Sequence, residues 1–418
     1  MKYIHCADIH LDTPFSGLAP RPGVPRDALV ASTRRAFTRM IDYALAEAVD
    51  FLLIAGDLYD GDWRDFNTGL FFAAEASRLQ RADIPVFLLH GNHDAVSQIS
   101  RSLPLPPNVH LFSHQRCQTH RLEGLRVAVH GMSFGTRAIT DNLLPHYPPP
   151  EPGFFNIGLL HTAASGREGH EPYAPCALAD LITKGYDYWA LGHVHAREIL
   201  HTEPPVVFPG NLQGRNIRET GPKGFMLVTA NDGRVRDMHF EAVDLFRWEV
   251  LPVDLEGATD LEIALAGVEQ ACREVWQRDP GHPLCLRVVF QGRTPLHGSL
   301  HGDPDALIAA CQAKVDLVGA GIWIEKVRVA TSLEQAAGIG SERQDETGTL
   351  LRVVRDMAND PSALTELQAE FNEMLQRLPA PARPAQAADA TLPQEAWAAL
   401  LEEALALLAY RLGGPEAG

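Results

Sequence analysis

Histidine, aspartate and asparagine recur in short polar blocks that each follow an apolar run. The blocks are Asp8-Ile9-His10, Gly56-Asp57, Gly91-Asn92-His93-Asp94, His161 and Gly192-His193-Val194-His195. Their oxygen and imidazole donors, without thiolate, suit divalent ions such as manganese, iron or zinc rather than a structural zinc site. Two such ions about 3.5 to 4 Å apart clamp a phosphate and activate a water molecule. The pattern therefore predicts two-metal chemistry on a phosphate ester.

The spacing within the blocks fits ligation at strand ends. Residues two apart share one face of a strand, which applies to the pair Asp8 and His10 and to the pair His193 and His195. In open α/β sheets the carboxyl ends of the strands face the ligand crevice, so these blocks are expected to converge. The candidate metal ligands are Asp8, His10, Asp57, Asn92, His161, His193 and His195. A carboxylate such as Asp57 can bridge two ions.

Taken singly, the blocks have simpler interpretations. Asp8 and His10 alone would more often be a cap or loop pair, and Gly91 to Asp94 alone would suit a turn, since Asn, Gly and Asp favour turns. Together they are hard to produce as core histidines or turns. Other histidines have no partner motif and are interpreted as ordinary imidazoles: His5, His90, His110, His114, His120 and His130, with His170 and His201 unassigned.

Short β-branched and aliphatic runs alternate with helical patterns through the first part of the chain. The clearest helical pattern has apolar residues near a 3.6-residue period, at Leu29, Phe37, Met40, Ile41, Ala44 and Leu45. Strands alternating with helices predict a layered α/β domain, which we place at residues 1–248.

The order of predicted strands and helices changes after about Trp248, which predicts a second, smaller domain. A strand, helix, strand, helix, strand series indicates a small α/β domain at 249–332, followed by a helical region with a linker at 333–418. In that last region, Asp360 before Pro361 is typical of a helix N-cap. One apolar stripe comprises Leu364, Leu367, Phe371, Met374, Leu375 and Leu378, and another Trp397, Leu401, Leu405, Leu408 and Leu412.

Composition places the protein among ordinary globular chains. It has 418 residues, of which 45% are hydrophobic and 21% charged. No apolar run approaches the ~20 residues that a membrane span requires, and we expect a cytoplasmic protein. The six cysteines are scattered without a C-x-x-C pair, which fits a reducing compartment and argues against a disulfide framework.

The net charge of −17 argues at first against a nucleic-acid partner, because phosphate binding draws on Lys and Arg. From Thr331 onward 14 acids face 6 arginines, so the rest of the chain carries only −9, and an acidic protein can still have a basic groove. Arg215, Arg218 and Lys223 lie near the candidate ligands in sequence. They either touch a DNA backbone or form a salt-bridged loop around Glu219.

The ordered blocks "DIH", "GDLYD", "GNHD", "LLHT" and "GHVH" resemble the signature of calcineurin-like metallophosphoesterases. The segment "FPGNLQGRNIRETGPKGF" is similar to the one that follows the last metal motif in DNA-repair exonucleases of the SbcD type, especially the YhaO-like branch. The resemblance implies a layered αββα sandwich with a small α/β capping domain and a helical C-terminal tail. It covers essentially the whole chain and is weakest over the last 90 or so residues.

The resemblance also assigns roles. It implies that Asp8, His10, Asp57 and His195 surround one metal ion and that Asp57, Asn92, His161 and His193 surround the other, with Mn²⁺ as the expected ion and Mg²⁺, Fe²⁺ or Zn²⁺ as alternatives. His93 would stabilise or protonate the leaving oxygen, with Asp94 orienting its ring. Some nucleases of the superfamily carry a histidine where this chain has Asp60. We interpret Asp60 as a residue that holds the ligands in place without binding the metal itself.

The two-metal site predicts a divalent-metal phosphodiesterase, and the resemblance implies that it hydrolyses DNA as a manganese-dependent 3′ to 5′ exonuclease with endonuclease activity as a further possibility. The resemblance implies a nuclease dimer whose tail binds a coiled-coil, SMC-like ATPase of the SbcC or YhaN type. Two alternatives stay open from the residues alone. The substrate is a small phosphodiester or nucleotide, or the chain is an interaction subunit with a vestigial metal site.

Overall fold

The computed structural model describes residues 1–13, 29, 31–60, 66–96, 104–164, 173–332, 346–377, 397 and 404. The chain divides into two compact units, Met1–Glu249 with His282–Cys285, and Val250–Gly281 with Leu286–Gly418. Within the described ranges, none of the helices is both long enough and apolar enough to cross a membrane.

Twelve strands of the first unit form two six-stranded sheets. In chain order they are β1 (Lys2–Cys6), β2 (Phe51–Ile54), β3 (Val86–Leu88), β4 (Val109–Leu111), β5 (Gln118–Leu122), β6 (Val127–Gly131), β7 (Phe155–His161), β8 (Tyr188–Gly192), β9 (Glu198–Thr202), β10 (Pro205–Phe208), β11 (Gly224–Asn231) and β12 (Arg234–Ala242). The first sheet has the order β12-β11-β1-β2-β3-β4, and the second β5-β6-β7-β8-β10-β9.

The strands that carry the polar blocks are parallel neighbours. In the first sheet β1 pairs with β2 and β2 with β3, all parallel. In the second sheet β7 is parallel to β8, and their register sets His161 opposite Gly192. An isolated parallel bridge between Leu11 and Tyr59 continues the first pairing beyond the strand ends. The ends of five strands, with the polar residues after them, therefore point to the same edge of the unit.

Helices and buried clusters fill the layers around the two sheets. The helices are α1 (Ser32–Ala46), α2 (Phe66–Gln80) and the short α3 (Leu178–Thr183), with 3₁₀ turns at Asp94–Val96 and Leu144–His146. One buried cluster joins α1 and α2 to the first sheet, a second contains residues of both sheets, and a third includes Trp189 of β8 with Leu181 of α3. Phe37 and Ile41 face the first cluster, as their spacing predicts. The predicted layered αββα sandwich is confirmed.

A three-stranded sheet with two longer helices lies mostly within the second unit. Its elements are β13 (Arg247–Asp254), α4 (Leu261–Trp276), β14 (Leu284–Arg293), α5 (His297–Leu300), α6 (Pro304–Asp316) and β15 (Ile322–Ser332). Both longer helices begin at an aspartate cap: Asp260 accepts from the N–H of Glu262, and Asp303 accepts from those of Asp305 and Ala306. This is the strand and helix series that the sequence predicts.

The helical C-terminal region comprises α7 (Glu346–Asn359) and α8 (Pro361–Arg377). The Asp360 carboxylate accepts a hydrogen bond from the Ser362 N–H at 2.9 Å, so the predicted cap is present. The Trp397 ring meets Phe371 edge to face at 5.3 Å and is buried. Trp397 therefore packs against α8 of its own chain. The linker at 379–390, Leu378 and the rest of the second stripe, Leu401, Leu405, Leu408 and Leu412, lie outside the described residues.

Candidate metal centre

The edge where the strands end brings the predicted ligands together. Asp8 and His10 follow β1, Asp57 follows β2, Asn92 follows β3, His161 ends β7, and His193 and His195 follow β8. Their donor atoms form two neighbouring groups. The sequence predicted this convergence from the parallel order of the strands.

The first group contains Asp8, His10 and His195, whose donor atoms lie within 4.8 Å of one another. The Nε2 atoms of His10 and His195 are 3.3 Å apart, and Nε2 of His195 is 3.8 Å from Oδ1 of Asp8. Nε2 of His10 also lies 3.8 Å from Oδ2 of Asp57. The Asp57 carboxylate thus adjoins the first group through His10.

The second group contains Asp8, Asp57 and His161 with the same spacing. Nε2 of His161 is 3.6 Å from Oδ2 of Asp57 and 3.0 Å from Oδ1 of Asn92. The His193 ring adjoins the His161 ring, with 5.2 Å between centroids. Oδ2 of Asp57 approaches imidazoles of both groups, which is the position that a bridging carboxylate requires.

Four of the seven predicted ligands have a backbone that L-residues rarely adopt. The φ angles are 51° at Asp8, 45° at His10, 52° at Asp57 and 99° at His193. A positive φ costs a non-glycine residue roughly 1 to 3 kcal/mol and persists where surrounding contacts hold it. Here the Asp8 carboxylate accepts from the His193 N–H at 3.0 Å, which ties two of these turns together. The sharp turns direct the side chains into the site.

Glycine is required beside the ligands because no side chain fits there. A methyl group on Gly91 would collide with the Asp57 carboxylate and the His161 ring, and one on Gly56 would collide with Nδ1 of His161. Gly56 also has a φ of 94°. These two positions keep the second group of donors closely packed.

Burial makes this donor set suitable for a divalent cation. Asp8 and Asp57 are each 1% exposed, and burial raises the pKa of both carboxyls, with the Asp57 charge adding to the effect at Asp8. Burial also lowers the pKa of His10 and lowers that of His161 to about 4. Neutral imidazoles offer lone pairs, and a nearby cation removes the cost of charge on the acids. The residues therefore fit a metal centre.

His93 lies at the border of the first group and is 30% exposed. Its Nδ1 is 3.1 Å from Oδ1 of Asp60, and that oxygen is also 3.4 Å from Nδ1 of His10. Burial lowers the pKa of His93, but the hydrogen bond to Asp60 and the Asp57 charge outweigh it, so its pKa is raised. Asp60 therefore supports both a ligand and His93.

Asp94 has a different task from the one that the sequence predicted. Its carboxylate accepts from the backbone N–H groups of Leu58, Tyr59 and Gly91, at 3.1, 2.8 and 3.1 Å. These bonds fasten the turn after β3 to the turn after β2. The family resemblance implies that Asp94 orients the His93 ring. In the structure, the carboxylate that contacts this ring is that of Asp60.

Glu219 supports His195 and was missed as a site residue. Its Oε1 lies 2.8 Å from Nδ1 of His195, and its Oε2 accepts from Asn211 Nδ2 and the Arg215 N–H. A carboxylate on the second nitrogen fixes the tautomer and orientation of a ligating histidine. The sequence signal for this role is the position of Glu219 among Arg215, Arg218 and Lys223, which favours a salt-bridged loop around it.

Arg215, Arg218 and Lys223 differ in burial and in the groups that they contact. Lys223 is 6% exposed and donates from Nζ to the His195 carbonyl at 3.0 Å. Arg215 is largely buried and faces Glu219, whereas Arg218 is exposed. Lys223 thus binds the backbone of His195, and Arg215 lies beside the ring of His195.

Comparison with known proteins identifies the class. Residues 1–197 match the family model of the calcineurin-like phosphoesterases, and this range contains every candidate ligand. Residues 248–332 match the model of the middle domain of metallophosphoesterase YhaO. The chain belongs to the calcineurin-like metallophosphoesterases, hydrolases that bind divalent metals. The resemblance stated from the sequence is confirmed.

Two relatives illustrate the range of the family. The uncharacterized metallophosphoesterase YhaO of Bacillus subtilis (strain 168) is 38% identical over 299 residues, which cover 71% of this chain and 72% of that protein. The DNA double-strand break repair protein Mre11 of Methanopyrus kandleri is 28% identical over 284 residues, which cover 62% of this chain and 60% of that protein.

Proposed function

We propose that this metallophosphoesterase hydrolyses phosphodiester bonds of DNA, as a Mn²⁺-dependent 3′ to 5′ exonuclease in DNA repair. The observation that carries the proposal is the position of the Asp57 carboxylate, whose Oδ2 lies 3.8 Å from Nε2 of His10 and 3.6 Å from Nε2 of His161, with the partly exposed His93 nearby. The similarity to a protein named for DNA double-strand break repair supports DNA as the substrate.

Asp8, His10, Asp57 and His195 would hold one metal ion, and Asp57, Asn92, His161 and His193 the other. When bound, the ions supply Lewis acidity that activates water and neutralises charge on the phosphate. Mn²⁺ is the ion we propose, with Mg²⁺, Fe²⁺ or Zn²⁺ as alternatives. Asp60 and Glu219 keep His10 and His195 in orientation from their other ring nitrogens.

His93 is assigned to the leaving oxygen of the sugar. Its contact with Asp60 uses Nδ1, so Nε2 is the nitrogen that we assign to the substrate. The raised pKa of His93, caused by the Asp60 hydrogen bond and the Asp57 charge against the effect of burial, keeps a proton available for donation. Asp94 contributes by holding the turn that carries His93.

Further parts of the proposal concern organisation. Residues 1–248 would form the nuclease domain, 249–332 a capping domain that selects how DNA enters, and 333–418 a tail that binds a coiled-coil, SMC-like ATPase of the SbcC or YhaN type. A cytoplasmic nuclease dimer completes this arrangement.

A second candidate substrate is a small phosphodiester or nucleotide. The net charge of −17 favours it, because a strongly acidic chain repels a polyanion over long range. A third candidate, an interaction subunit with a vestigial site, is opposed by the close spacing of the donor atoms of Asp8, His10, Asp57, His161 and His195.

The deciding experiment is hydrolysis of an end-labelled DNA duplex alongside bis-p-nitrophenyl phosphate, with Mn²⁺, Mg²⁺ or EDTA. Wild type is compared with His93→Ala and with a matched control, His239→Ala, whose side chain is 58% exposed on β12. We expect Mn²⁺-dependent shortening of DNA that is lost in His93→Ala, with Mn²⁺ binding retained. The control variant should behave as wild type.

The other outcomes separate the candidates. Hydrolysis of the small ester alone would move the substrate assignment to the second candidate. No turnover of either substrate, with or without the ATPase partner, would favour the third. Retained turnover in His93→Ala would overturn the role of His93 while leaving the metal centre intact.

A further inference from the structure

Arg215 lies beside the candidate ligand His195, with its Nη2 3.2 Å from Nδ1 of that ring. Nη2 lies 3.3 Å and Nε 3.4 Å from Oε1 of Glu219, and Nη1 lies 3.9 Å from Oδ1 of Asp60. The side chain is 17% exposed, which is comparable to Asp60 at 19%. The guanidinium thus lies between the two carboxylates that support the ligands.

The ion pairs of Arg215 are longer than the shortest contacts of two other partly buried arginines. Arg287 binds Glu325 at 2.8 and 2.7 Å. Arg247 binds Asp244 at 2.8 Å through Nε. A tight guanidinium-carboxylate pair closes to about 2.7 to 2.9 Å. The contacts of Arg215 are therefore weaker than those that these two structural arginines make.

One further approach of Arg215 is not a favourable hydrogen bond. Nη2 lies 3.2 Å from Nδ1 of His195, which is also 2.8 Å from Oε1 of Glu219. A ligating Nε2 needs its lone pair, so the proton of His195 belongs on Nδ1, where it is donated to Glu219. Two N–H donors then face each other, which is unfavourable. An anion that accepted from Arg215 would relieve this contact.

The position of Arg215 also fits a phosphate contact. Nη1 approaches the same Asp60 oxygen that is 3.1 Å from Nδ1 of His93. One carboxylate oxygen therefore separates the guanidinium from Nδ1 of His93, the residue that we assign to the leaving oxygen. Lys223 is already used by the His195 carbonyl, and Arg218 is exposed to solvent.

We propose that Arg215 binds a non-bridging oxygen of the substrate's phosphate group, which makes it a specificity-determining residue of the centre. The guanidinium fork matches phosphate oxygens in geometry and charge, and lysine does not reproduce this fork. The inference rests on the proposed function in that the phosphate belongs to a phosphoester substrate. It adds a contact made by the protein itself to those made by the metals.

The test uses inorganic phosphate as the probe and needs no turnover. Binding of phosphate to the Mn²⁺-loaded full-length protein is measured by isothermal titration calorimetry for wild type, Arg215→Ala, Arg215→Lys and the matched control Arg218→Ala. Loss of a hydrogen bond to a charged group weakens binding about tenfold to 100-fold. We expect this loss for Arg215→Ala, a partial loss for Arg215→Lys and no change for Arg218→Ala.

Binding of Mn²⁺ alone is measured on the same variants. Unchanged Mn²⁺ affinity in Arg215→Ala, together with weaker phosphate binding, supports a substrate contact. Mn²⁺ affinity that falls in parallel overturns the proposal in favour of a structural role through Glu219. Unchanged phosphate affinity, or no phosphate binding by wild type, also overturns it.

The outcome is independent of DNA hydrolysis. If wild type cleaves no phosphodiester but Arg215→Ala still loses phosphate binding, the proposed function fails while the phosphate contact stands. If DNA cleavage is present and phosphate binding is insensitive to Arg215, the proposed function stands and this inference fails.

Discussion

Two kinds of buried histidine occur in the first unit, and their surroundings differ. His5 and His130 lie inside strands β1 and β6, and both are 0% exposed. His5 contacts the Tyr188 hydroxyl at 3.0 Å and the Leu191 carbonyl at 3.1 Å, and His130 contacts Thr119 and Asn156. His161, at the end of β7, is equally buried. Its Nε2 instead faces Asn92 and Asp57.

The comparison shows that burial alone does not identify a ligand. A histidine within a strand meets single partners on each side, and both nitrogens are satisfied by the core. A histidine at the strand end keeps one nitrogen on a neighbouring carbonyl, here Ala55 at 2.9 Å, while the other meets further donors. Convergence of several donor atoms beyond the strand ends therefore separates site from core.

The largest difference in activity should separate a substitution at the strand end from one inside a strand. His161→Gln removes a candidate ligand, and we expect kcat/KM for bis-p-nitrophenyl phosphate with Mn²⁺ to fall on the order of 10³-fold. His130→Gln should keep activity within a few-fold and lower the free energy of unfolding by about 1 to 3 kcal/mol, because buried partners lose hydrogen bonds. Steady-state kinetics and urea unfolding check both.

An inverted result would break the comparison. If His130→Gln abolished activity at unchanged stability while His161→Gln stayed active, position at the strand end would not define the site. Bound manganese, measured after gel filtration, shows whether His161→Gln acts through metal loss.

A smaller effect on metal affinity is expected at Glu219. Its carboxylate contacts Nδ1 of His195, as the Tyr188 hydroxyl contacts Nδ1 of His5. Glu219→Gln keeps the shape but removes the charge, and substitutions behind a metal ligand cost about 10 to 100-fold in metal affinity or activity. Titration with Mn²⁺ measures this loss. Glu151→Gln, at the surface pair with Arg121, is the control and should leave Mn²⁺ affinity unchanged.

The smallest effect concerns pH and the core histidine. Burial lowers the pKa of His5 to about 3, and the hydrogen bond with the Leu191 carbonyl only partly offsets it. Below its unfolded pKa of about 6.5 the unfolded chain takes up a proton that the folded chain excludes. The stabilising contribution is complete above this pH and is lost as pH falls towards 3, by about 2 kcal/mol at pH 5.

His5→Gln should therefore lose less stability than wild type between pH 8 and pH 5, by about 2 kcal/mol. Urea unfolding at both pH values, with EDTA present so that metal binding does not contribute, measures the difference. An identical pH dependence in the two proteins would mean that His5 is protonated in the folded state.

Much of the centre was predictable because residue type and order along the chain follow from local rules. Polar blocks after apolar runs located Asp8, Asp57 and His161 at strand ends, and parallel strands bring such ends to one edge. Helix caps at Asp260 and Asp360 follow equally from short-range hydrogen bonds. These features need only a few neighbouring residues.

Which side chains support the ligands was decided by the tertiary structure. Asp60, 33 residues from His93, contacts its ring, whereas the adjacent Asp94 is held by three backbone N–H groups. Glu219 meets His195 from a later segment, which also places Arg215 at the centre. Such pairings depend on how turns with positive φ direct each side chain. The packing of strand ends that are distant in sequence sets this direction, so neighbouring residues alone do not predict it.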